Sequence, residues 1–268
     1  MNNLVELSSE LKKLIEKSEI IAVASHLNPD GDNLGSATAM VGMLNKLGKN
    51  VVFVLDDMIP QSFKFLPNLS FSKAPDEINN NFDLFIALDS SDENRMGDNI
   101  KKIFEASKKT VNIDHHFSNT NYADLNIVDS KSPATCEVLA RIFETLNFEL
   151  NKEIATSLFT GLSTDTGSFK YSSVSSDTFL TASNLFKYDI DIDKVTVNVY
   201  QSRSREKTDL LIRAMNSIEY FHDNKIAVVF VTKEDMEKSK AEKSDADGIV
   251  EFVRDIDTVE LGKNGEEG

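Results

Sequence analysis

Four short stretches combine acids and imidazoles in a pattern that could do chemistry. They are Ser25-His26-Leu27-Asn28-Pro29-Asp30-Gly31-Asp32, Asp89-Ser90-Ser91-Asp92, Asp114-His115-His116 and Gly161-Leu162-Ser163-Thr164-Asp165-Thr166-Gly167. Three of the four histidines in the chain fall within them, and only His222 lies elsewhere. Asp30, Asp32, Asp89, Asp114 and Asp165 gathered in one crevice would repel one another and raise each other's pKa values. Two divalent cations would remove that conflict. Mixed imidazole and carboxylate ligation suits Mn²⁺, Fe²⁺, Co²⁺ or Zn²⁺ better than Mg²⁺ or Ca²⁺. A metal pair roughly 3.5–4 Å apart activates a water and clamps a phosphoryl oxygen during in-line displacement.

Each stretch alone has an ordinary explanation. Pro29-Asp30-Gly31 is a turn signal. An acid at a strand end, such as Asp89, is often a helix N-cap. The pair His115-His116 could be a packed loop, and Thr164-Asp165-Thr166-Gly167 a helix-ending turn. The chemical reading rests on all four occurring in order at strand ends, where parallel sheets gather their functional groups.

The elements that must position them are legible from periodicity. Leu4, Leu7, Leu11, Leu14 and Ile15 predict an amphipathic helix over Leu4–Lys17. Ile20–Ser25, Val51–Leu55, Leu84–Leu88, Thr110–Ile113 and Leu125–Val128 are short, continuous apolar runs. Runs of that kind predict a parallel sheet covered on both faces. Helices are expected over Asn33–Leu47, ending at Gly48, and over Thr135–Thr145 and Lys152–Leu162. The Gly161–Gly167 stretch reads as a loop after the last of these. The expected fold is α/β: a parallel β-sheet flanked by helices over residues 1–190, then a second, smaller α/β domain over 191–268. In that second part Glu206–Tyr220 and Gly248–Asp255 read as helices and Ile226–Val231 as a strand. The stretch Gly262–Gly268 is flexible in composition, with nothing to pack.

Composition narrows the class of function. The 268 residues carry a net charge of −15, which argues against a high-affinity duplex binder. Short substrates with few phosphates remain open, because a metal pair supplies positive charge where it is needed. No apolar run is long enough to cross a bilayer, and the N-terminus lacks signal-peptide character. The single cysteine, Cys136, cannot form an internal disulfide, so a cytoplasmic setting is expected.

Together, Ser25-His26-Leu27-Asn28-Pro29-Asp30-Gly31-Asp32 with Gly35-Ser36, Asp89, Asp114-His115-His116 and Thr164-Asp165-Thr166-Gly167 resemble the four motifs of the DHH phosphoesterase superfamily. Asp89-Ser90-Ser91-Asp92 with Arg95-Met96-Gly97 is similar to the second motif of its nanoRNase/pAp-phosphatase group, and the likeness spans residues 20 to about 220. The resemblance implies roles by residue. His26 and Asp30 would bind one metal, Asp32, His115 and Asp165 the other, and Asp89 would bridge both. His116 would face the substrate phosphate, and Asp114 would orient a histidine. Arg95 would contact phosphate, where the ordinary alternative is a surface ion pair. The resemblance also implies two Mn²⁺ ions, a short single-stranded oligonucleotide or phosphorylated nucleotide as substrate, and a homodimer. Relatives carry a C-terminal DHHA1 domain with a Gly-Gly-Gly-His type motif that this sequence lacks. The region after residue 190 is therefore expected to be a linker helix and a partial DHHA1-like domain.

Two other functions share much of this pattern. One is a cyclic-dinucleotide phosphodiesterase. The other is a catalytically weak regulator, against which the retention of all six candidate ligands argues.

Overall fold

The computed structural model describes residues 2–78, 81–246 and 248–266. In chain order the elements are α1 (Asn2–Lys17), β1 (Ile20–Ala24), α2 (Gly31–Lys46), β2 (Asn50–Val54), β3 (Ser72–Lys73), β4 (Leu84–Leu88), α3 (Asp98–Ala106), β5 (Thr110–Asp114), β6 (Leu125–Val128), α4 (Thr135–Thr145), α5 (Lys152–Asp165), α6 (Ser176–Phe186) and α7 (Ile192–Thr196). They continue with α8 (Arg205–Asn216), β7 (Glu219–Phe221), β8 (Ile226–Val231), α9 (Lys233–Ser239), α10 (Ile249–Arg254) and β9 (Leu261–Glu266).

Strands β1 to β6 form one sheet in the order β3-β2-β1-β4-β5-β6, with every pairing parallel. The apolar runs are buried because helices cover both faces. Alternate residues of β1 serve opposite sides. Ile21 and Val23 join a large core with α2, α4 and α5, while Ala22 and Ala24 join a smaller one with Ile100 and Phe104 of α3. Helix α2 is buried from Gly31 to Leu44. The chain runs outward from β1 to β2 and β3, then returns to the other side with β4. The carboxyl ends of β1 and β4 therefore flank the reversal point, where open α/β sheets bind ligands.

Helix α5 runs three residues beyond the expected Leu162, so Asp165 is its last helical residue and does not sit in a loop. Threonine hydroxyls bond back along this last turn. Thr164 Oγ1 donates to the Thr160 carbonyl at 3.2 Å, and Thr166 Oγ1 donates to that of Leu162 at 2.6 Å.

The chain divides into compact units Met1–Val199 and Tyr200–Gly268. Ile190 and Val195 are buried in the core of the first. In the second, β7 pairs antiparallel and β9 parallel with β8, around a core of Leu210, Ala214, Ala227, Val229, Val231, Ile249 and Val253. The expectation that the glycine-rich end packs against nothing is corrected over Leu261–Glu266. Backbone pairing needs no side chain, and a Cβ on Gly262 would stand 3.1 Å from the Arg254 nitrogen, so glycine allows the close approach. Glu267 and Gly268 lie outside the described residues. Among the described residues no helix is long and apolar enough to cross a membrane.

Candidate metal centre

Strand β1 delivers His26, and the turn after it starts α2. Asp30 is the N-cap of α2, its Oδ1 accepting from the Asn33 N–H at 3.0 Å. Its Oδ2 remains free to stand 3.7 Å from His26 Nε2. Asp32 lies in the first turn of α2 and is fully buried. Its two oxygens accept from the N–H groups of Thr135 (2.6 Å) and Cys136 (2.9 Å), at the start of α4. A helix N-terminus favours negative charge at that spot.

Asp89 follows β4 with φ of 53°, in the left-handed region that Asp tolerates better than most residues. Backbone held in this sparsely populated region is frequent at functional sites. The result is a buried carboxylate with each oxygen facing a different histidine. Oδ2 lies 3.4 Å from His26 Nε2, and Oδ1 lies 3.6 Å from His115 Nε2. The Thr135 hydroxyl donates to Oδ1 at 2.9 Å. His115 Nε2 is also 3.4 Å from Asp165 Oδ2.

The histidine tautomers follow from their partners. His26 Nδ1 lies 2.7 Å from the Leu27 carbonyl and His115 Nδ1 lies 3.3 Å from the Ser132 carbonyl. A carbonyl only accepts, so each Nδ1 donates there, and each Nε2 is the nitrogen turned toward the carboxylates. His116 differs. Its Nδ1 donates to Asp114 Oδ1 at 2.7 Å, and Asp114 in turn accepts from Asn119 Nδ2 at 2.6 Å. Asp114 is thus tied to a histidine from beneath, and His116 keeps Nε2 for another partner.

Electrostatics mark the site as built for positive charge. Burial, then the Asp32, Asp89 and Asp30 carboxylates, push Asp165 up to about 10. Burial and then Asp89 push Asp32 well above the ordinary carboxylate range. At Asp89 burial works upward too, but the hydrogen bond and charge of His26, with His115 and His116, carry it below its usual value. Burial alone would lower His26; the Asp89 carboxylate and the Leu27 carbonyl reverse this. His116 is raised by its bond to Asp114 against the opposing effect of burial. Protons on these groups stand where cations would remove the same repulsion.

Three sets of donors have ligand atoms within 4.8 Å of one another: His26, Asp30 and Asp89; Asp32, His115 and Asp165; and Asp89, His115 and His116. Paired carboxylates with imidazole Nε2 atoms turned toward them fit divalent cations of the imidazole-tolerant kind. All eight of the acids and histidines singled out from sequence therefore meet at one edge of the sheet. Arg95 sits in a 3-10 turn, Glu93–Met96, exposed and without a carboxylate partner among the described residues. Its charge is felt at His116, whose pKa it lowers slightly.

Several supporting groups were not anticipated. The Thr135 hydroxyl, the Thr135 and Cys136 N–H groups, and the Ser132 and Leu27 carbonyls carry no side-chain signature of chemistry. Ser132-Pro133-Ala134-Thr135 does carry a helix-start signal, which could have pointed to an N-terminus aimed at an acid.

Fold and side chains together define a metal-dependent phosphoesterase, a phosphoester hydrolase. Residues 20–162 match the DHH family, N-terminal domain, and the chain belongs to that family. It is 28% identical over 249 residues to a protein of Thermus thermophilus called bifunctional oligoribonuclease and PAP phosphatase NrnA, covering 93% of this chain and 73% of that one. It is 25% identical over 262 residues to the Bacillus subtilis protein of the same name, covering 93% and 78%. Among solved structures it resembles an exopolyphosphatase-related protein from Bacteroides fragilis, with a TM-score of 0.89 at 25% identity, over 94% of this chain and 77% of that one.

Proposed function

We propose that this protein hydrolyses short oligonucleotides and 3′-phosphoadenosine 5′-phosphate through a pair of divalent cations, manganese being among those the donors suit. One observation carries the reading: the two oxygens of Asp89 face two separate donor sets, one holding His26 and the other His115. In it His26, Asp30 and Asp89 would hold one ion, and Asp32, His115 and Asp165, with Asp89, the other. When bound, such a pair supplies an acidified water and positive charge for a phosphoryl oxygen.

The remaining steps belong to the protein. The Leu27 and Ser132 carbonyls fix the ligating tautomers of His26 and His115. Asp114 holds His116 by Nδ1 and favours its protonated form. His116 Nε2 then binds the substrate phosphate and passes a proton to the leaving oxygen. Arg95 adds charge on the same side. The substrates are those in the names of the Thermus and Bacillus relatives. In this reading the unit from Tyr200 onward is a DHHA1-like module, the working assembly is a homodimer, and the buried thiol of Cys136 suits a reducing cytoplasm.

The test is one activity panel with Mn²⁺: 3′-phosphoadenosine 5′-phosphate, a linear dinucleotide, a cyclic dinucleotide and pyrophosphate. The proposal expects phosphate from the first and nucleoside monophosphate from the second, both faster than turnover of the other two. No product from either of the first two would refute it.

A further inference from the structure

Among the described residues two large apolar side chains stand almost clear of the surface, Phe117 at 95% exposure and Met58 at 81%. Isolated exposed apolar residues are ordinary and ask for no explanation. The placement of these two is different. Met58 lies in the loop after β2, which meets the β1 loop where the Asn28 N–H donates to Asp57 Oδ2 at 2.9 Å. Phe117 directly follows His115 and His116 in the loop after β5. Both lie at the carboxyl edge of the sheet, one strand outward from β1 and from β4 respectively.

The loop that carries Phe117 is pinned by its other residues. The Asn119 N–H donates to the His116 carbonyl at 3.2 Å, and the Thr120 N–H donates to that of Ser91 at 2.9 Å. Asn119 Nδ2 donates to Asn112 Oδ1 at 2.7 Å as well as to Asp114. The Tyr122 hydroxyl donates to the Ser90 carbonyl at 3.1 Å, and its ring lies 5.4 Å from that of Phe104. Ser118, Asn119, Thr120 and Asn121 are polar, so the ring belongs to no apolar surface of its own loop. A fixed backbone leaves only two side-chain torsions to order when something covers the ring.

We infer that Phe117 is a stacking platform for the base of the nucleotide whose phosphate lies at His116. The inference rests on the nucleotide phosphoesterase reading above. Neighbouring Cα atoms are about 3.8 Å apart, so the pinned backbone that bears Phe117 starts at the histidine assigned to the phosphate. Every nucleobase has a π-face, so such a platform takes purines and pyrimidines alike and separates nucleotides from simple phosphate esters. Stacking of this kind is worth roughly 5- to 150-fold in affinity.

The chain contains no tryptophan, so Phe117→Trp installs a single fluorescent reporter. On the Mn²⁺-loaded protein, adenosine monophosphate should quench that emission and ribose 5-phosphate should not. By calorimetry, Phe117→Ala should weaken adenosine monophosphate binding about tenfold, and Phe117→Tyr should restore it. Equal quenching by the two ligands, no loss of affinity in Phe117→Ala, or no binding of adenosine monophosphate to the unaltered protein would overturn the platform. A protein that cleaves no dinucleotide yet shows base-dependent quenching would overturn the activity reading and leave the platform standing.

Discussion

Gly161 of α5 stands so close to Asp32 of α2 that a Cβ on the glycine would lie 2.8 Å from Asp32 Oδ1 and 2.9 Å from its Cα. The same Cβ would lie within 2.4 Å of Cys136 Sγ. Helices α2, α4 and α5 therefore meet at a point where only hydrogen fits, and that contact brings Asp32 and Asp165 to one place. Gly161→Ala should push α5 away, costing about 1–3 kcal/mol of stability, and should weaken metal binding as well. Thermal unfolding and a metal titration read the two effects. An alanine variant with unchanged metal affinity would show that the close approach has no bearing on the site.

Asp89 faces one histidine of each proposed metal set, His26 through Oδ2 and His115 through Oδ1. Asn tolerates the left-handed backbone there, so Asp89→Asn removes charge without adding strain. Turnover should fall by more than the 10–100-fold typical of losing a group behind a ligand, with metal content reduced and circular dichroism unchanged. Substantial residual activity would refute the shared role.

His116 is tied to Asp114 and not to a ligand carbonyl. His116→Ala should keep both metals while the rate falls about 10²–10⁴-fold, the range for general acid–base catalysis. Elemental analysis beside kinetics checks it. Loss of one metal equivalent would move His116 into the ligand set with Asp89 and His115.

In the metal-free protein burial, then the Asp32, Asp89 and Asp30 carboxylates, push the Asp165 carboxyl up to about 10, far above its ordinary value. A raised folded pKa means the folded state holds the proton longer than the unfolded one. The associated stability is complete below about pH 4 and is lost progressively as pH rises toward 10. Metal-free protein should therefore melt at lower temperature as pH goes from 5 to 9. Asp165→Asn should flatten that fall, matching the parent at low pH and exceeding it at high pH. Parallel melting curves would contradict the assigned burial. Added Mn²⁺ should reverse the trend in the parent only.

Asp83, at the opposite edge of the sheet, gives the opposite sign. Lys108, then the Ile20 and Glu19 N–H groups, lower its carboxyl to about 2. Its contribution is present above about pH 4 and lost as pH falls to 2. Asp83→Asn should lower the melting temperature at pH 7 and match the parent near pH 2. A constant difference across that range would exclude the charge effect.

Sequence made the sheet and the donors legible for identifiable reasons. Ile20–Ala24 and Leu84–Leu88 are strands buried on both faces, so they read as unbroken apolar runs. His26, Asp30, Asp32, Asp89 and His115 are legible because each lies in the stretch that follows such a strand. Other parts left no trace in residue type. Strand β3 is two residues, Ser72 and Lys73, paired with Phe53 and Val54. Thr-Asp-Thr-Gly reads as a turn, whereas α5, packed against α2, continues through it to Asp165. The groups that set the histidine tautomers are backbone carbonyls, which any residue supplies. The strand at Leu261–Glu266 was missed because glycine weakens the usual strand signal.

The most direct measurement is anomalous diffraction from crystals soaked in Mn²⁺. Two peaks are expected, one among His26, Asp30 and Asp89 and one among Asp32, His115 and Asp165, with a carboxylate oxygen of Asp89 against each. A single peak, or two peaks that do not share Asp89, would contradict it.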